Sequence, residues 1–235
     1  MLLTGLIGGT TFAVLVAAGT FVYAQIANSG GLAAFDEPVL GWMVAARTPI
    51  GAQVVTAFTN LGSTVPMVII GLVITAVLFA STHARTVWVL MLVAAAGSVV
   101  FTLVGKPAFG RTRPPLSSAV PPYEQSFSLP SGHTLNSTVV TGMLAYLTVV
   151  FVSRVWVRVA AVAAATAWSL AMGLSRVYLG HHWLSDVVFA WLVGLAWLAL
   201  LITVHQAMLE RRRSALQRGS ASTASADFRS PPALP

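Results

Sequence analysis

Cysteine is absent from the 235 residues, so a disulfide framework, a thiolate metal site and a thiol nucleophile are all closed to this chain. Charge is scarce too: 8% of residues are charged, Lys106 is the sole lysine, and only six residues are acidic. Soluble domains carry about a quarter of their residues as charges, and a chain that is 57% apolar cannot assemble such a surface. The sequence therefore reads as an integral membrane protein. No Lys or Arg precedes Arg47, so the apolar stretch from Leu2 to Ala24 lacks the basic flank of a signal peptide and reads as a span.

What is present is long apolar sequence. A bilayer span takes about 20 mostly apolar residues, and six stretches come close, roughly 4–25, 64–82, 86–105, 137–153, 155–174 and 186–204. The expected fold is all-α: a six-helix transmembrane bundle over residues 1–207, followed by a basic, disordered cytoplasmic tail at 208–235, rich in Ser, Ala and Pro. The net charge of +7 owes much to Arg211, Arg212, Arg213, Arg218 and Arg229 beside the last span, where a basic cluster meets anionic lipid headgroups rather than nucleic acid.

If the six helices alternate, Arg85, then Arg154 and Arg158, then the tail arginines share one side, which the positive-inside rule makes cytoplasmic. Both termini fall there, and residues 26–63, 106–136 and 175–185 face outward as loops. Within 26–63, Val39, Trp42, Met43, Ala46, Ile50, Val54, Phe58 and Leu61 recur at helical steps, and Pro38 and Pro49 suit helix starts. Two short interfacial helices are expected, either covering a site or packing on the bundle.

The remaining polar chemistry is confined to three patches on that outer side. Lys106 and Arg113 are seven residues apart in a segment punctuated by Pro107, Gly110, Pro114 and Pro115, which reads as a stiff loop. An arginine fork and a compact ammonium together suit a phosphate dianion, and Arg176 from another loop supplies a third cation. Pro130-Ser131-Gly132-His133 directly precedes the fourth span, so its backbone N–H groups lie near a helix start, a natural anion site. Ser131 is placed to cap that helix, to bind phosphate, or both, and Gly132 permits close backbone approach. His182 and Asp186 are four residues apart, on one face if the helix has begun. A carboxylate there fixes the imidazole tautomer and frees the other nitrogen as a nucleophile. Spacing favours His182 over the adjacent His181. Arg111 lies close enough to assist, and Tyr123, Phe127 and Trp183 suit either lipid contact or the membrane interface.

Lys106 through Arg113-Pro114, Pro130-Ser131-Gly132-His133, and Ser175-Arg176 through His182 to Asp186 resemble, in order and spacing, the three signature motifs of the type 2 phosphatidic acid phosphatase family. The resemblance implies a membrane phosphatase acting on lipid phosphates or diphosphates, such as phosphatidic acid, phosphatidylglycerol phosphate or undecaprenyl diphosphate. It implies that His182 attacks phosphorus to form a phosphohistidine, that His133 serves as acid and then base, and that Asp186 orients His182. Lys106, Arg113, Arg176, Ser131 and Gly132 would hold the phosphoryl oxygens. Phosphotransfer to another acceptor, or lipid-phosphate binding without catalysis, are the alternatives. The soluble vanadate haloperoxidases of the same superfamily do not fit six spans. The outer side offers only Asp36, Glu37, Glu124 and Asp186 as carboxylates, too few for a two-metal centre once Asp186 serves a histidine. No metal or cofactor is expected, and no nucleic-acid partner; membrane lipids are the expected surroundings.

Overall fold

The computed structural model describes residues 2–227, with side chains to residue 217. It is helical and contains no strand among those residues. The helices are α1 (Leu2–Ala27), α2 (Asp36–Ala45), α3 (Pro49–Asn60), α4 (Thr64–Thr82), α5 (Thr86–Phe109), α6 (Gly132–Phe151), α7 (Val155–Tyr178) and α8 (Leu184–Asp227), with short 3-10 turns at Gly31–Phe35 and Leu116–Ser118. Six of the eight, α1 and α4 to α8, are long and apolar enough to cross a membrane. The six-helix expectation therefore stands.

Helix α6 is the axis of the bundle. Leu135, Val139, Met143 and Leu147 are fully buried along it and pack with Met67 of α4, Val87, Met91 and Ala94 of α5, and Ala190 and Leu198 of α8. In lipid, helices gain little from burying apolar surface against one another, so close approach through small residues matters more. Gly97 meets the Trp197 ring, Gly142 meets Leu198, and Gly173 meets Trp191 and Val187, each with no room for a methyl group. The outer faces remain apolar, as on α1, where Leu3, Leu6, Ile7, Val14 and Phe21 are exposed.

Helices α2 and α3 form over the region expected to be interfacial. Helix α3 starts at Pro49 with Thr48 as its cap, the hydroxyl accepting from the Gly51 N–H at 3.0 Å. Only part of the apolar stripe faces the bundle: Phe58 packs on Trp168 of α7 with ring centroids 5.3 Å apart, whereas Trp42, Ile50 and Val54 point outward. Asp36, Leu40 and Thr59 are the buried residues of the two helices. Arg47, between them, donates to the carbonyls of Ser118 at 3.0 Å and Tyr178 at 2.5 Å, which ties this cover to the ends of the site segments.

Three expectations need correction. Lys106 is not in a loop: α5 runs on through Pro107 to Phe109 and closes where the Gly110 N–H donates to the Lys106 carbonyl. A proline in the last turn forfeits one backbone bond, which such a helix tolerates. Arg176 likewise belongs to the last turn of α7. The tail expected to be disordered from 208 instead continues α8, whose backbone runs through Asp227; over Gln206 to Gln217 the sequence holds no Gly or Pro and is rich in strong helix formers. The Arg218 side chain, Arg229 and the rest of 228–235 lie outside the described residues.

A methyl group added at Gly173 would sit 2.5 Å from the Trp191 ring and 2.6 Å from Val187, whereas one at Gly9 meets nothing within 4 Å. Overpacking of this kind costs about 1–3 kcal/mol. Gly173→Ala is expected to lower the unfolding temperature of the detergent-purified protein and Gly9→Ala to leave it in place, as read by a thermal shift assay.

Candidate active site

The ends of α5, α6, α7 and α8, with residues 110–131 and 179–183, meet at one end of the bundle. All eight residues singled out from the sequence lie there. His182, Asp186, Ser131 and Arg176 are almost fully buried, and Lys106, Arg113, Gly132 and His133 are partly so.

His182 is held from both ring nitrogens. Arg113 Nη1 lies 3.1 Å from Nε2, so Nε2 is the accepting nitrogen and the ring proton sits on Nδ1. Nδ1 faces Asp186 Oδ2 at 3.3 Å and Ser128 Oγ at 3.3 Å. Asp186 Oδ2 also accepts from the Trp183 N–H at 3.0 Å and from Ser128 Oγ in a short contact. His182 precedes α8, and Asp186 stands in its first turn. The i to i+4 pairing thus arises where the chain enters the helix.

His181 faces elsewhere. Its Nε2 donates to the Val120 carbonyl at 2.7 Å, away from the partners of His182. Gly180 makes this division. Its φ of +72° is in the left-handed region, and a Cβ there would lie 2.0 Å from the Ser118 carbonyl oxygen. The Val120 N–H donates to the Leu179 carbonyl at 2.9 Å, so this crossing joins the 116–120 segment to the turn carrying both histidines.

The cations converge as the sequence implied, around partners it did not reveal. Arg113 donates to the His181 carbonyl at 2.6 Å, the Ser126 carbonyl at 2.6 Å and Glu124 Oε2 at 2.8 Å. Arg176 meets Glu124 Oε1 in a short ion pair and Thr59 Oγ1 at 3.2 Å, while its Nε is buried without a partner. Lys106 Nζ donates to Ser126 Oγ at 2.7 Å and the Phe127 carbonyl at 3.0 Å. One carboxylate, Glu124, thus bridges both arginines, with His133 Nδ1 4.0 Å away.

Ser131 does not cap α6 with its side chain; its hydroxyl pairs with Thr134 Oγ1 at 2.9 Å. A Cβ at Gly132 would come within 3.1 Å of Thr102, so its small size serves helix packing as well as backbone access.

Electrostatics follow from burial. Burial, reinforced by Arg113 and Arg176, pushes the His182 imidazole well below its usual value, so the ring is neutral at pH 7. His181 is pushed the same way, by burial and then Arg176. Burial alone would raise the Glu124 carboxyl, but Arg176, Arg113 and the two histidines His182 and His133 outweigh it and hold it at about 2. Among the described residues, no three His, Asp or Glu side chains converge as a metal-binding set.

Sequence reasoning missed Glu124, Ser128, Asp36 and Gly180, and passed over Arg111. Arg111 donates to Asp186 Oδ1 and lies 2.7 Å from Asp36 Oδ2. The only signal for Glu124 and Asp36 was that both are acids on an outer side with few of them.

The sequence model of the PAP2 superfamily matches residues 86–209, more than half of the chain. Phosphatidylglycerophosphatase B of Bacillus subtilis (strain 168) is 31% identical over 179 residues, which cover 74% of this chain and 85% of that protein. Among solved structures, the transmembrane PAP2 type phosphatidylglycerolphosphate phosphatase from Bacillus subtilis superposes with a TM-score of 0.77. It is 26% identical, and the match covers 84% of this chain and 96% of that one.

Gly180→Ala forces either a strained φ or a displaced Ser118 carbonyl, and so moves His182 away from Arg113. Its affinity for inorganic phosphate, measured by titration calorimetry, is expected to fall at least about tenfold. A displacement of about 1 Å at such a site costs on this scale or more.

Proposed function

This chain belongs to the PAP2 superfamily and is a multi-pass membrane phosphatase, and we propose that it hydrolyses lipid phosphates through a phosphohistidine on His182, without a metal ion. The observation that carries the proposal is a neutral His182 held between Asp186 at 3.3 Å on Nδ1 and Arg113 at 3.1 Å on Nε2.

The phosphoryl group enters the space between Arg113, Arg176, Lys106 and the start of α6. On this reading the phosphoryl oxygens are received by arginine N–H groups of the kind now turned to the two Glu124 oxygens. Arg113 turns from Nε2 to a phosphoryl oxygen, which frees that nitrogen; His182 Nε2 attacks phosphorus, the P–O bond to the lipid breaks, and His133, which takes up the proton carried in by the monoanionic phosphate, passes it to the departing alkoxide. The positive ring that results is stabilised by Asp186 through Nδ1–H. His133 then takes a proton from water, whose oxygen attacks the phosphohistidine and releases phosphate with His182 restored. Arg113, Arg176, Lys106 and the amides at Gly132 carry the charge on the phosphoryl oxygens; phosphoryl transfer depends chiefly on such positioning. Ser131, fully buried, supports this helix start through Thr134.

The site lies at the ends of spanning helices, beside apolar faces that sit in lipid, which favours a substrate whose leaving group is itself a lipid. Phosphatidylglycerophosphate is the first candidate because the two relatives are named for it; phosphatidic acid and undecaprenyl diphosphate share the chemistry. We place the site on the external face. In the sequence, five Lys and Arg residues fall on the site side (Arg47, Lys106, Arg111, Arg113 and Arg176) and eight on the other (Arg85, Arg154, Arg158, Arg211, Arg212, Arg213, Arg218 and Arg229), an excess that the positive-inside rule assigns to the cytoplasm.

Wild-type protein in detergent, with excess chelator, is expected to release phosphate from at least one of the three lipids, and His182→Ala from none. Activity lost to chelator and restored by a divalent metal would contradict the metal-free reading. Because His182 must be neutral to attack, the acid limb of kcat/KM is expected below pH 6.5. Arg113→Gln removes the nearest cation, lets the ring protonate more easily and moves that limb upward. The same lipid serves both enzymes, so its own ionisation cancels. The variant's kcat is expected to fall on the order of a hundred- to a thousandfold.

A further inference from the structure

Behind Asp186, on the side away from His182, lies a second layer of charge that the three signature motifs do not contain. Arg111 Nη1 donates to Asp186 Oδ1 and, at 2.8 Å, to Ser185 Oγ, while Nη2 meets Asp36 Oδ2 at 2.7 Å. Asp36 is fixed in turn from α8: the Ser185 N–H donates to Oδ1 at 2.8 Å and the Ser185 hydroxyl to Oδ2 at 2.6 Å. The Arg111 guanidinium lies 5.9 Å from the Trp183 ring centroid, which braces its remaining face. Asp36, Ser185 and Asp186 are buried, so these charges act through protein rather than water.

We propose that Arg111 and Asp36 are positioning residues for the reaction: Arg111 holds the Asp186 carboxylate turned towards His182, and Asp36 absorbs part of the arginine's charge so that Asp186 keeps its pull on the ring. The inference rests on the phosphohistidine reading above. It assigns a task to α2, which delivers Asp36 from outside the spanning bundle.

Charges of alternating sign then run from Asp36 to Arg111 to Asp186 to the His182 ring. The other charged groups that bear on His182 are Arg113, Arg176, Glu124 and Lys106, and none of the substitutions below changes them. Removing Arg111 leaves Asp186 uncompensated, which favours a proton on His182. Removing the Asp36 charge leaves Arg111 uncompensated, which disfavours it. The two changes therefore push the acid limb of kcat/KM in opposite directions, a signature that mere loss of structural support does not produce.

The test uses the full-length enzyme in detergent with dioctanoyl phosphatidic acid, comparing wild type, Asp36→Asn, Arg111→Gln, Arg111→Lys and His182→Ala across pH, with unfolding temperatures measured alongside. Asp36→Asn and Arg111→Gln are expected to lower kcat about 10- to 100-fold, as loss of supporting partners does at other sites, with KM little changed. Arg111→Gln should move the acid limb up by about one pH unit, and Asp36→Asn should move it down. Arg111→Lys keeps the charge without the fork, and so should keep the wild-type limb at reduced kcat. Limbs that move together or not at all, or a lysine variant that titrates like the glutamine one, would overturn this inference alone. Activity retained by His182→Ala would overturn the nucleophile assignment and this inference with it.

Discussion

A charged group taken out of water must find opposite charge and hydrogen bonds at close range, and at one end of this bundle that demand is met many times over. Arg176 is 2% exposed, Asp36 4% and Asp186 0%. Each has a named partner of opposite charge: Glu124 for Arg176, and Arg111 shared between the two aspartates. Buried pairs of this kind rarely add net stability, and removing one member leaves an uncompensated charge at a cost of about 3–5 kcal/mol. Their value lies in fixing geometry. Asp186 faces His182 at 3.3 Å through one oxygen, which the Trp183 N–H and Ser128 also hold, while Arg111 occupies the other.

The same constraint explains the architecture. Four of the eight candidate side chains sit in the end turns of helices, Lys106 in the last turn of α5, Arg176 in the last turn of α7, His133 in the first turn of α6 and Asp186 in the first turn of α8, while His182 and Arg113 lie in the connections between them. Rigid elements hold a site more precisely than loops do. The loop 110–131 then folds over them, contributing Arg111, Arg113, Glu124, Ser126 and Ser128, and Arg47 and Asp36 fasten α2 and the segment after it to the assembly.

Much of this was legible in the chain because bilayer length and signature spacing are local properties. The range 64–82 matches α4, and the eight candidate residues of the three motifs all come to one end of the bundle, beside Glu124, Ser128, Asp36 and Arg111, which the motifs do not contain. The failures share a cause: they depend on what the chain meets elsewhere. Pro107 looked like a helix breaker and was not, because it falls in the final turn of α5. Residues 208–217 looked like the start of a tail because their polarity changes, although crossing out of a membrane does not by itself end a helix of good formers. Asp36 was one of four acids on the outer side, in a connection read only for its apolar stripe; its place depends on the docking of α2, which no local pattern encodes. The choice between His181 and His182 turned on spacing to Asp186 in the sequence and on the left-handed turn at Gly180 in the structure.

The central claim is that phosphorus passes through His182. It is tested most directly by rapid-quench trapping with phosphorus-labelled lipid in the presence of chelator, followed by peptide mapping at alkaline pH, where phosphohistidine survives. The account predicts labelled phosphate on the peptide carrying His182, formed within one turnover and discharged to water. Full phosphate release with no labelled protein at any time point, or label on His181 or His133 instead, would contradict it.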